Sequence, residues 1–166
     1  MIPFDEKYCL DSFEKLLGAD STTGQYEEIQ KLLCAMLDEL GCPYQVTRKG
    51  GVIADLGGEG NALCVTAHLD DIGLMVRHVN ADGTLNVCPV GGLYPFYCVT
   101  ENVRVYTRGG KVFTGAICRT PNSIHVTEEE LRSTAPDFRK NVCVVLDEDV
   151  KSAQDVHALG ESCGEG

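Results

Sequence analysis

The clearest candidates for chemistry are His68 and Asp70, which follow the apolar run 62–66. In an extended segment, side chains two positions apart point to the same side. The carboxylate of Asp70 can then accept the second N–H of the imidazole, which fixes the ring nitrogen that faces a metal ion. Asp71 is expected to point the other way. The spacing predicts His68 as a metal ligand and Asp70 as the carboxylate that orients it, although a polar loop after a strand has the same pattern.

The elements that must position this pair alternate between helix and strand. Apolar residues at helical spacing predict a helix over 5–17 and a second one over 29–40. Thr22 and Gln25 have the spacing of a capping box for the second helix, and Gly41 stands where a C-terminal glycine belongs. Extended apolar runs between glycine-rich turns then predict strands at 44–47, 52–56 and 62–66.

The pattern changes near residue 70, where short alternating runs replace the helical period. Strands are predicted at 73–78, 84–88, 103–107, 111–118 and 142–146, with turns at 80–83 and 108–110. Short helices are expected to begin at Thr127, with Glu130 three residues on, and at Ser152, with Asp155 three residues on and Gly160 at its end. The second part therefore predicts a small barrel or sandwich over 71–166, after an α/β part over 1–70.

Composition limits the classes of function. The 166 residues carry 14 Lys and Arg against 25 Asp and Glu, a formal charge of −11, and 43% of them are hydrophobic. This acidity argues against nucleic-acid binding, and no apolar run reaches the length that crosses a bilayer. The N-terminus has no signal-peptide pattern, so a cytoplasmic protein is expected. The nine cysteines lack a C-x-x-C pair and are expected to be mostly reduced thiols in the core.

A wider window carries a family resemblance. The run AHLDDIGLMVRHVNADGTLNVCPVGG, residues 67–92, resembles the M42 metallo-aminopeptidases, the glutamyl and deblocking enzymes sometimes mislabelled as cellulases. The elements that match are the A-H-x-D-D-I-G segment, the D-G turn at 82–83 and the Gly pair at 91–92. Thr23-Gly24 with Glu27 and Glu28 is similar to an early S/T-G-x-E segment of that family, and 152–160 is similar to its short helix before a Gly-rich segment.

The resemblance implies an α/β fold, the start of a zinc-peptidase-like catalytic domain followed by a small PA-like β-barrel dimerisation domain. It implies that His68 binds one of two divalent metal ions, Zn or Co, with Asp70 orienting it. It also implies a peptide substrate that loses its N-terminal amino acid, and a homo-oligomer between a dimer and a tetrahedral dodecamer.

The remaining ligands of that family follow its barrel insertion: a bridging Asp, a Glu-Glu pair with the general base, a further Asp and a second His. This chain ends at Gly166, so it is expected to be an N-terminal portion that neither binds the metal pair tightly nor hydrolyses peptides alone. Two alternatives stay open: a non-catalytic assembly module built on the barrel, and a related metallohydrolase with a sugar or acyl-amino-acid substrate.

Other polar groups receive structural interpretations. The remaining histidines are expected to be solvated or packed, and the acidic run 128–130 is expected to form the first turn of a helix. The aromatic run 93–97 is expected to pack in the core or at a subunit interface. Cys64 is expected to be a buried inert thiol, and the glycines at 57–60 are expected to form a hairpin turn.

Overall fold

The computed structural model describes residues 4–121, 123, 125 and 133–160. The chain divides into two compact units, Met1–Asp71 and Ile72–Gly166. The first holds two helices and a two-stranded sheet, and the second holds a five-stranded sheet with short helices. No helix in the described part of the chain is both long and apolar enough to cross a membrane.

Two helices open the first unit. Helix α1 spans Glu6–Gly18, and the side chain of Asp5 caps it by accepting a hydrogen bond from the backbone N–H of Tyr8 at 2.9 Å. Helix α2 spans Glu27–Glu39 and is followed by Gly41 at φ +65°, a left-handed conformation that favours glycine.

The predicted capping box of α2 is wrong. The residue before the helix is Tyr26, whose side chain makes no capping hydrogen bond. Thr22 instead lies in an isolated parallel bridge with Asp71. The spacing of Thr22 and Gln25 was therefore misleading, because the backbone turn that joins these two residues precedes the helix rather than starting it.

The small sheet is an antiparallel hairpin. Strand β1, Tyr44–Val46, pairs with β2, Val52–Ala54. The connecting turn is closed by the backbone N–H of Thr47, which donates to the carbonyl oxygen of Gly51 at 2.7 Å. Both strands were predicted from the sequence, and each is shorter in the structure.

The strand predicted at 62–66 does not form. Residues 55–70 contain no helix or strand, and the side chains of Leu63 and Val65 are 89% and 87% exposed. A strand needs a neighbour for its backbone groups, and none of the described strands lies beside this segment. Without a second strand to join, the glycines at 57–60 are not a hairpin turn.

The second unit is one antiparallel sheet in the order β3-β4-β7-β6-β5, with β3 and β5 at its edges. Its strands are β3 Gly73–Val79, β4 Leu85–Val90, β5 Asn102–Tyr106, β6 Val112–Arg119 and β7 Val142–Leu146. All five were predicted. The turns at 80–83 and 108–110 are confirmed by the hydrogen bonds from Gly83 N–H to the Asn80 carbonyl and from Gly110 N–H to the Thr107 carbonyl.

Two short helices accompany this sheet in the part of the second unit that the structure describes. Helix α3, Pro95–Cys98, was not predicted, whereas α4, Ala153–Leu159, was. The predicted cap of α4 is confirmed: Ser152 Oγ accepts from the Asp155 N–H at 3.2 Å, and an Asp155 oxygen accepts from the Lys151 N–H at 2.9 Å. The helix predicted from Thr127 and Glu130 lies outside the described residues.

The hydrophobic core belongs to the second unit. Val87 and Val144 are its most buried members, and other side chains of β4, β6 and β7 surround them. In the described part of the first unit, Ile29 is the one buried apolar residue, while α1 exposes Leu10, Phe13 and Leu17. The first unit thus has helices and a hairpin without a core of comparable size.

The expectation that most cysteines pack in the core is wrong. Of the eight described, Cys98 and Cys143 are buried, Cys9 and Cys64 are exposed, and the other four are half-buried. Cys64 is exposed because it lies in the segment 62–66, which no strand among the described residues covers.

Candidate functional site

His68 lies in the irregular segment that ends the first unit, and 86% of its side chain is exposed. Its Nδ1 is 3.0 Å from the backbone carbonyl oxygen of Asp70 and 3.3 Å from the Asp70 carboxylate oxygen Oδ1. The structure therefore brings His68 and Asp70 together. Because Nδ1 faces Asp70, Nε2 is the ring nitrogen available to an external ligand.

The Asp70 carboxylate is held from its other side by Thr23. The Thr23 hydroxyl donates a hydrogen bond to Asp70 Oδ2 at 2.9 Å, across 47 positions of sequence. This hydrogen bond is the largest cause that lowers the pKa of Asp70 below its ordinary value, and the charge of His68 adds a smaller effect in the same direction. Asp70 is thus held as a carboxylate that can accept hydrogen bonds on both oxygens.

The loop between α1 and α2 supplies this support. Its buried residue Ser21 accepts a 3.0 Å hydrogen bond from the Asp71 N–H through its backbone carbonyl, and Thr22 bridges to Asp71. Sequence reasoning singled out Thr23-Gly24 by its resemblance to a family segment but missed the contact with Asp70. Nothing in the spacing signals it, since the two residues are far apart in the chain.

His68 and Asp70 can supply one imidazole ligand and its orienting carboxylate to a metal centre. They do not form a complete metal centre by themselves. Among the residues described, no three His, Cys, Asp or Glu side chains lie close enough to hold a metal ion. Zinc in a catalytic site takes about three protein ligands besides its water. His68 with Asp70 can therefore contribute to such a centre only if further ligands come from elsewhere.

The remaining candidates belong to the second unit. His78 on β3, His157 on α4 and His125 are exposed, which agrees with the solvated interpretation. Core packing is wrong for the aromatic run, since Tyr94, Phe96 and Tyr97 are 63%, 65% and 79% exposed. The acidic run 128–130 lies outside the described residues.

A shallow depression of about 710 Å³ lies between α1 and α2. Asp11, Glu14 and Glu28 are among its lining residues, and neither His68 nor Asp70 borders it. It is therefore separate from the His–Asp pair.

Comparison with known proteins identifies the class. The family model described as M42 glutamyl aminopeptidase matches residues 50–165, which include His68, Asp70 and nearly all of the second unit. This match spans most of the chain. The chain therefore belongs to the M42 aminopeptidase family, whose members are hydrolases of peptide bonds.

Individual relatives agree with this assignment. The lysyl aminopeptidase of Pyrococcus furiosus is 27% identical over 156 residues, which are 91% of this chain and 42% of that protein. The chain spans less than half the length of the curated relatives it matches.

Solved structures show the same fold. The TET aminopeptidase of a marine-sediment Thaumarchaeota archaeon matches with a TM-score of 0.80 and 18% identity, over 95% of this chain and 43% of that one. The TET1 peptidase of Pyrococcus horikoshii, which can assemble into a tetrahedron or a large octahedral shell, matches with a TM-score of 0.68 and 23% identity, over 92% and 44% of the two chains. The predicted α/β fold is thus confirmed at the level of the TET aminopeptidases.

Proposed function

We propose that the chain is the N-terminal portion of a dinuclear-metal aminopeptidase that releases N-terminal amino acids from peptides. The observation that carries the proposal is the His68–Asp70 pair, in which the carboxylate faces Nδ1 and leaves Nε2 for a metal ion. Two divalent ions, Zn or Co, would supply Lewis-acid chemistry at the scissile carbonyl when bound in the complete enzyme. His68 would be one ligand, and Asp70 would fix its orientation.

The proposal assigns different roles to the two units. The first would be the opening part of the catalytic domain, which its scarcity of buried apolar side chains supports. The second would be the barrel domain through which copies of the protein assemble, from a dimer up to a dodecamer. Its own core and the assembly of the TET1 relative support that role. A cytoplasmic location stays a prediction of the sequence.

One experiment tests the catalytic assignment. In the native protein purified from its source, intact mass is measured first, and a mass well above 18.0 kDa is expected. His68→Ala introduced into that protein should abolish hydrolysis of aminoacyl anilides and leave the circular dichroism spectrum unchanged. His78→Ala, an exposed histidine on β3, is the matched control and should keep full activity. Unchanged activity of His68→Ala would refute the assignment.

A second candidate function is a non-catalytic assembly module. It is favoured by the exposed aromatic side chains of Tyr94, Phe96 and Tyr97, whose rings contact one another with centroids 5.8–5.9 Å apart. A native mass of 18.0 kDa, with no hydrolysis of anilides or of glycosides, would favour this function. Hydrolysis of glycosides or acyl amino acids instead would favour a related metallohydrolase.

A further inference from the structure

The segment from His68 to Asp71 owes its conformation to the loop between α1 and α2. It contains no helix or strand, and its side chains are exposed. Two backbone contacts hold it, the bridge of Asp71 to Thr22 and the hydrogen bond from the Asp71 N–H to Ser21. The Thr23 side chain adds a hydrogen bond from its hydroxyl to Asp70.

The two carboxylate oxygens of Asp70 contact different side chains. Oδ2 accepts from Thr23 at 2.9 Å, while Oδ1 faces His68 Nδ1 at 3.3 Å. The Asp70 side chain is about half exposed, so packing alone does not select its rotamer. The Thr23 hydroxyl holds one oxygen of this carboxylate, beside a weaker hydrogen bond with the backbone of Asp70 itself.

The surroundings of Nδ1 determine the tautomer of His68. Both groups near this nitrogen, the Asp70 carbonyl and the Asp70 carboxylate, can only accept hydrogen bonds. The neutral ring is therefore favoured with its proton on Nδ1 and its lone pair on Nε2. A metal ion can bind only the nitrogen that carries the lone pair.

We propose that Thr23 is a positioning residue: its hydroxyl orients Asp70 so that His68 presents the lone pair of Nε2 outward. This inference rests on the proposed function, because the orientation of His68 prepares a metal ligand only if His68 binds a metal ion in the complete enzyme. The geometric claim concerns three side chains of the first unit and no bound group. Because Ser21 and Thr22 hold the backbone of the segment, loss of the Thr23 hydroxyl should change the tautomer and leave the fold intact.

The test is the tautomer of His68, read by long-range proton–nitrogen NMR on the 166-residue chain with ¹⁵N-labelled histidine. The spectra are recorded above pH 8, where imidazoles are neutral, at a concentration where sedimentation shows one species. In the parent chain the Nδ1–H tautomer of His68 should be the major form. In Thr23→Val, which replaces the hydroxyl by a methyl group, the share of this tautomer should fall, because Nδ1 then keeps the Asp70 backbone carbonyl but loses the oriented carboxylate. Thr23→Ser should retain the share of the parent chain.

Controls are present in the same chain. The signals of His78, His125 and His157 should not differ between these variants, since all three belong to the second unit and Thr23 belongs to the first. Thr22→Val changes the neighbouring side chain and should leave the tautomer of His68 unaltered. If Thr23→Val loses the amide dispersion of the parent chain, Thr23→Ala, which removes the hydroxyl without adding a methyl group in its place, decides the same question.

The outcomes are distinct. A share of the Nδ1–H tautomer that is unchanged without the Thr23 hydroxyl would overturn the proposal, and so would an equal shift in Thr22→Val. A shift in Thr23→Val that Thr23→Ser prevents would support it. If the tautomer responds as expected while His68→Ala leaves the native protein fully active, the proposed function fails and the positioning of His68 by Thr23 stands.

Discussion

Gly115 on β6 lies directly against the carbonyl oxygen of Val145 on the neighbouring strand β7. A Cβ at Gly115 would overlap this oxygen and would lie 3.2 Å from the Cα of Leu146. Both neighbours are backbone atoms of a paired strand, so neither can rotate away. The close approach of β6 and β7 therefore requires glycine at this position.

Gly115→Ala should lower the free energy of unfolding by about 3 kcal/mol, because β6 and β7 must separate to admit the methyl group. Urea denaturation followed by circular dichroism measures this change. Gly109→Ala is the control: the nearest atom to its added Cβ is a side-chain oxygen 3.9 Å away, and stability should stay within about 0.5 kcal/mol. Equal stability of the two variants would contradict the close approach.

The two faces of β7 give a second prediction. Val144 is 2% exposed and belongs to the core, whereas its neighbour Val145 is 39% exposed. Val144→Ala should lower the free energy of unfolding by about 2 kcal/mol, from lost burial and the cavity left behind. Val145→Ala should cost clearly less. Thermal unfolding of both variants would show the difference, and a larger loss in Val145→Ala would mean that the strand register is wrong.

The strands of the second unit could be predicted from the sequence because their patterns and the turns between them involve residues close together in the chain. Strands such as β4 and β5 alternate between more and less buried side chains, and turns such as the one at Gly83 join strands that pair with each other. The predicted strand at 62–66 failed for the complementary reason. Its composition suits a strand, but pairing depends on a neighbour, which the described part of this chain does not provide.

For the candidate site too, the sequence predicted only the contact between residues that are close together in the chain. His68 and Asp70 are two positions apart, so their proximity follows from backbone geometry. The contact of Thr23 with Asp70 depends on how the α1–α2 loop packs, and 47 positions separate the two residues. No periodicity or spacing in a single sequence encodes such a contact.

The cap of α4 predicts a pH-dependent contribution to stability. The backbone N–H of Lys151 and the hydroxyl of Ser152 lower the pKa of Asp155 below its ordinary value. A carboxyl with a lowered pKa in the folded state stabilises the fold above the unfolded pKa of about 3.9. This contribution is lost as the pH falls through the lower folded value. Asp155→Asn should therefore weaken the acid-side decline of stability, measured by urea denaturation from neutral pH down to about pH 2.

Ser152→Ala tests the other half of this cap. Removing the hydroxyl leaves the Asp155 N–H without its acceptor, and the free energy of unfolding should fall by about 1 kcal/mol. Ser152→Thr keeps an acceptor oxygen and is the control. If Ser152→Ala and Ser152→Thr have the same midpoint of unfolding, the cap contributes nothing measurable.

The exposed segment 62–66 predicts self-association of the isolated chain. Leu63 and Val65 are almost fully exposed on a backbone without a described neighbour, a combination that favours pairing between copies. Sedimentation velocity should show oligomers or aggregates whose share rises with concentration. The double variant Leu63→Lys, Val65→Lys should reduce them, since two charges disfavour burial of this segment against another chain. Asn61→Lys, Thr66→Lys adds the same charge in the same exposed segment, keeps both apolar side chains and should continue to associate. A parent chain that sediments as a single monomer at all concentrations would contradict this prediction.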